Sequence, residues 1–158
     1  IFLLKYKDQF SEVANFLPFL NKWWDEGKEK KYGYQTCLSN IAVLYLRLFV
    51  CGAKVPFETI NKAISAFPPA DITETENMSL LILDIFQTHQ DNGEFIQSII
   101  KTTAFAIADL LTQPPTSPNM IKISQQSLEN IQQLFKAILS DNEDIKNQLF
   151  QFYQNNAE

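Results

Sequence analysis

Glycine, histidine and cysteine are all scarce in this chain, at four, one and two among 158 residues. Few glycines and few β-branched runs weigh against sheet and leave helix as the favoured element. The single histidine, His89, falls near a helix end, where it reads as a dipole partner or a packed ring and not as a catalytic base. No His/Cys cluster has the spacing of a metal site. No glycine-rich phosphate loop occurs. Neither Cys37 nor Cys51 has a histidine nearby in sequence to activate it. The carboxylate pairs Asp25/Glu26 and Asp141/Asp144 sit at expected loops and helix starts, where capping accounts for them. The expectation is therefore no enzyme, no cofactor and no metal.

A basic excess is also lacking. The net charge is −5 and the estimated pI 4.9, against the basic face a nucleic-acid binder needs. No run approaches about 18 apolar residues, so no membrane span is expected. Placed on one helix, Cys37 and Cys51 would stand about 21 Å apart, too far for a disulfide. Reduced core cysteines suit a cytosolic or nuclear compartment. The chain opens on Ile1 without a methionine, as an excised fragment would.

What is present is apolar and periodic. Hydrophobic residues make up 46% of the chain and charged ones 20%, a globular balance. Residues 57–89 are the organising stretch. Phe57, Ile60, Ile64 and Phe67 recur at helical spacing, and Pro68 and Pro69 then end the helix. Thr73 and Glu76 have capping-box spacing before a second helix, apolar almost all round from Leu80 to Phe86. So tight a turn predicts an antiparallel pair.

Upstream, Ser11 can cap a helix through Val13, Phe16, Leu17, Leu20 and Trp23, loosened by Pro18, before a charged loop from Asp25 to Lys31. A long helix from about Lys31 to Val50 presents Tyr34, Cys37, Leu38, Ile41, Leu44, Tyr45 and Leu48, with Gly52 as a left-handed cap. Downstream, a helix from Phe95 to Leu110 precedes the proline-rich loop Thr112–Asn119. A helix through Leu128, Ile131 and Ile138 follows, then a capping-box match at Ser140 and Glu143, then a last helix through Ile145, Leu149, Phe152 and Tyr153.

Leu17, Ile60 and Ile99 occupy matching places, with steps of 43 and 39 residues. A period near 40 with two helices per unit predicts an all-α fold of HEAT-type hairpins stacked as an α-solenoid. The hairpins fall at about 11–50, 56–90 and 93–139, closed by a helix at about 141–155. Charge is uneven along the chain: residues 1–62 carry +3 and residues 63–158 carry −8. Solvated helix faces are the plain explanation, and an acidic half that attracts a basic partner is the sharper one.

The stretches FLPFLNKWW (16–24), TCLSNIAVLYLRL (36–48) and VPFETINKAISAFPPADITETENMSLLILDIFQTH (55–89) resemble the C-terminal HEAT repeats of the importin-β (karyopherin-β) nuclear transport receptors, most of all those importing histones and ribosomal proteins. Phe67-Pro68, Asp71 and Glu74/Glu76 are similar to that family's turn between helices, and LSDNEDIKNQLFQFY to its closing helix. The TQPPTSPN loop departs from a simple repeat.

The resemblance implies a non-enzymatic receptor fragment shuttling between cytoplasm and nucleus through the nuclear pore. Second helices would line a concave face for basic protein cargo, with Glu76, Asp84, Gln87 and Asp91 as candidates. First helices would offer Phe19, Trp23 and Trp24 to Phe-Gly nucleoporins. The GTPase Ran would bind N-terminal repeats that this chain lacks. A different HEAT scaffold, or an all-α domain with an aromatic pocket for a small apolar ligand, are the alternatives.

Overall fold

A computed structural model describes residues 14–29 and 34–155. Among them there is no strand. Eight helices follow in order: α1 Leu17–Glu29, α2 Gln35–Val50, α3 Phe57–Ile64, α4 Thr75–His89, α5 Gly93–Leu111, α6 Pro118–Lys122, α7 Gln125–Asp141 and α8 Glu143–Asn155. Short 3₁₀ turns, Ala14–Phe16 and Ile72–Glu74, lead into α1 and α4. The expected Ser11 cap and Val13 lie outside the described residues, as do residues 30–33.

Local chemistry explains most of the boundaries. Gly52 has φ 88°, the left-handed conformation in which a Cβ would be crowded. Its N–H donates to the Phe49 carbonyl at 2.9 Å, and the Ala53 N–H donates to the Leu48 carbonyl at 3.0 Å. Those two bonds satisfy carbonyls that the end of α2 would otherwise leave bare. Asn92 caps α5 by accepting from the Phe95 N–H, and Ser124 caps α7 by accepting from the Ser127 N–H. Pro118 opens α6, where its missing N–H costs nothing.

Several expected boundaries move. Pro18 sits in the first turn of α1, so the helix simply starts at Leu17 and is not broken inside. The expected charged loop is helical as far as Glu29. Neither capping box forms. Thr73 lies in the 3₁₀ turn, where its N–H donates to Asp71, and Glu76 reaches across to another helix. Ser140 lies inside α7 and donates to the Ala137 carbonyl.

The helices touch in two series. In one, α2 packs on α4 and α4 on α7; in the other, α3 packs on α5 and α5 on α8. Contacts of α1 with α2, α2 with α3 and α5 with α7 bind the series together. The pair expected to form a self-contained hairpin does not. α3 packs chiefly on α2 and α5, because the linker through residues 65–74 is long enough to carry the chain to α4 elsewhere.

The core runs through Tyr45, Leu46, Leu48, Ile60, Ile64, Met78, Ile82, Ile85, Phe95, Ile99 and Leu110, all fully buried. Cys37, expected in this core, is exposed, and Cys51 is buried.

Candidate interaction surfaces

The four residues expected on a cargo face separate into two groups. Asp84 is half-buried and Gln87 exposed on the open side of α4, and Asp91 is exposed just beyond its end. Leu80 shares that side, 48% exposed, although it lies in the run whose all-round apolar character predicts a helix buried on several sides.

Glu76 is occupied within the fold. Its carboxylate accepts from the Ser124 N–H at 2.8 Å, the Ser124 hydroxyl at 2.9 Å and the Ser127 hydroxyl at 2.7 Å. Desolvation pushes its pKa up, but these three hydrogen bonds outweigh it and hold the group below the ordinary carboxylate value. Glu76 thus fastens α4 to the start of α7 and is not an open contact for a partner.

Other polar ties surround the same end of α4. Arg47 of α2 reaches Glu74 at 3.3 Å, and the Asn77 amide donates to the same carboxylate at 2.9 Å. The buried Thr75 hydroxyl donates to Asn119 at 2.7 Å. Asp71 accepts from the side chain and the backbone N–H of Thr73, which lowers its pKa.

The aromatic residues of α1 also divide. Phe19 and Trp23 are exposed, Trp23 at 54%, and their i, i+4 spacing puts them on one face, with the exposed Phe16 in the 3₁₀ turn just before. Trp24 is 3% exposed and cannot meet a partner, a correction to its expected role. Its ring centroid lies 6.1 Å from that of Tyr45, and Lys62 of α3 stands 5.1 Å above it. Lys62 also pairs with Asp25 at 3.0 Å. The Tyr45 hydroxyl donates to Asn21 at 2.6 Å. Burial, with the nearby Asp25 charge, pushes the Tyr45 pKa up to about 12.

Two further features had no signal in the sequence. A groove of about 550 Å³ opens between α5, α7 and α8, floored by Ala108, Leu111, Phe135, Leu139 and Leu149. The Tyr153 hydroxyl beside it donates to Asp109 at 2.6 Å. Desolvation and that bond raise the Tyr153 pKa to about 12. A polar cleft of about 430 Å³ lies where Gln35, Ser39 and Gln113 meet the Phe67–Ala70 linker.

Among the described residues, no group of His, Cys, Asp and Glu could hold a metal, and no helix is long and apolar enough to cross a membrane. No protein-family model, curated protein or solved structure matches the chain.

Proposed function

We propose that this chain is a protein-binding segment of a HEAT-type α-solenoid, and that it serves an importin-β-like nuclear transport receptor. The observation that carries the reading is the double series of helix contacts, α2–α4–α7 beside α3–α5–α8. Stacked two-helix units give that pattern, since each unit adds one helix to each row. Such stacks act through extended faces and not through a catalytic pocket. The open side of α4 then belongs to the inner row, and Asp84, Gln87 and Asp91 form its contact with Lys/Arg-rich cargo. Phe19 and Trp23, on an outer helix, suit Phe-Gly segments of pore proteins. Glu76 and Trp24 support the scaffold beneath these faces.

Magnitude limits what one repeat can do. An exposed ion pair contributes about 0–1 kcal/mol, and charges are screened beyond ~8 Å at physiological salt. Binding by two carboxylates is therefore weak, and tight binding of cargo draws on several repeats. The test is fluorescence anisotropy with a labelled Lys/Arg-rich peptide. The expected result is weak binding that salt suppresses and that Asp84→Lys with Asp91→Lys abolishes. Binding that is indifferent to salt and to the double variant would overturn the cargo assignment.

A further inference from the structure

The joint between Glu76 and α7 has one accessible hydroxyl. Ser124 links α6 to α7 and is exposed, as are Gln125 and Gln126 after it. Ser127, the other hydroxyl on Glu76, is 3% exposed and out of reach. Ile123 and Ser124 are both extended, with ψ 136° and 153°, the backbone shape in which protein kinases take up a target serine. Gln125 follows directly, and glutamine at +1 is what one class of Ser/Thr kinase selects.

The joint holds because one carboxylate faces three neutral donors. Among the described residues no cation pairs with Glu76. A phosphate on the Ser124 oxygen reverses this balance. It removes the hydroxyl proton that Glu76 accepts at 2.9 Å and puts a charge of about −1.5 to −2 in its place. Lys122, the nearest cation in sequence, offers a single positive charge against it. α7 keeps its cap, because phosphate oxygens accept from helix N–H groups as the hydroxyl does. What is lost is the tie from α7 to α4.

We propose that Ser124 is a phosphorylation site for a Ser/Thr kinase that selects glutamine at +1, and that the phosphate releases α4 from α7 by expelling Glu76. In the transfer the Ser124 oxygen bonds the γ-phosphorus of ATP. The bond from that phosphorus to the β-phosphate oxygen breaks, and ADP and the hydroxyl proton leave. The proposal is independent of the cargo assignment, because neither Ser124 nor Glu76 belongs to that face.

The test incubates the full chain with ATP and such a kinase, places the label by mass spectrometry and follows melting by circular dichroism. The expected result is phosphate on Ser124, an unchanged helical spectrum below the transition and a lower melting temperature. Ser124→Asp against Ser124→Asn isolates the charge, since both residues cap a helix well. The Asp variant should melt about 2–4 °C below the Asn variant, and Glu76→Gln in both should erase the gap. A chain that takes no label on Ser124 would overturn the proposal. So would an Asp variant that melts level with or above the Asn one, or a gap that survives Glu76→Gln.

Discussion

At its N-terminal end α4 is surrounded by hydrogen bonds, and at its C-terminal end by rings. The polar end gathers Arg47, Glu74, Asn77, Thr75, Asn119, Glu76, Ser124 and Ser127 from four helices and their connections. The aromatic end gathers Phe49, Phe57, His89 and Phe95. There the Phe57 and Phe95 centroids lie 4.5 Å apart, Phe49 and His89 4.9 Å, and Phe49 and Phe95 5.1 Å.

The two ends hold the same helix by different physics. Ring packing scales with buried area and is indifferent to salt. A carboxylate joint is directional and depends on its charge. The aromatic end therefore supplies bulk stability, and the polar end fixes how α4 sits against α2 and α7.

The largest break in this comparison should come from Phe95, fully buried at the centre of the aromatic end. Phe95→Ala is expected to cost about 3–5 kcal/mol, from lost transfer energy and the cavity left behind. Urea unfolding in low and in high salt should give the same loss, and a strongly salt-dependent loss would show that the two ends are not separable.

Glu76→Gln comes next, at about 1–3 kcal/mol, for hydrogen bonds to a charged acceptor. Its distinguishing mark is pH. The folded pKa of Glu76 lies below the ordinary glutamate value, so its contribution is complete above that ordinary value and is lost as pH falls through the folded pKa. Thermal melts of the parent should weaken in that acid range, and those of the variant should weaken less. Equal acid sensitivity in both proteins would remove Glu76 as the polar latch.

The smallest effect is expected at Arg47. Its pair with Glu74 is partly exposed, so Arg47→Ala should cost about 0–1 kcal/mol, less in high salt. A loss that salt leaves unchanged would mean that the arginine acts through the packing of its stem.

The helices were legible because apolar periodicity is local. Ile60, Ile64, Ile99 and Ile131 were readable as core from spacing alone, and all are buried. The left-handed Gly52 was legible for the same reason. Glu76 was misread because capping-box spacing specifies two nearby residues, whereas its carboxylate is satisfied 48 and 51 residues away. Leu80 lies in an apolar run and is nonetheless 48% exposed, because periodicity identifies a face without identifying which neighbours cover it. Trp23 and Trp24 show the limit well. Adjacent positions on a helix point in different directions, so the two rings cannot share one environment, and only packing against Tyr45 decides that Trp24 is the buried one.

The placement of α3 bears on how such a chain can grow by duplication. α3 shares its main contacts with a helix before it and a helix after it, and few with α4, the next in sequence. Copying residues 56–90 as a block would thus copy two helices that barely support each other. The block would hold its shape only through the helices that flank it. The unit of cohesion here is a set of neighbours interleaved along the chain, not a pair of helices consecutive in sequence. A duplicated segment is therefore accepted or rejected by its hosts, not by its own stability.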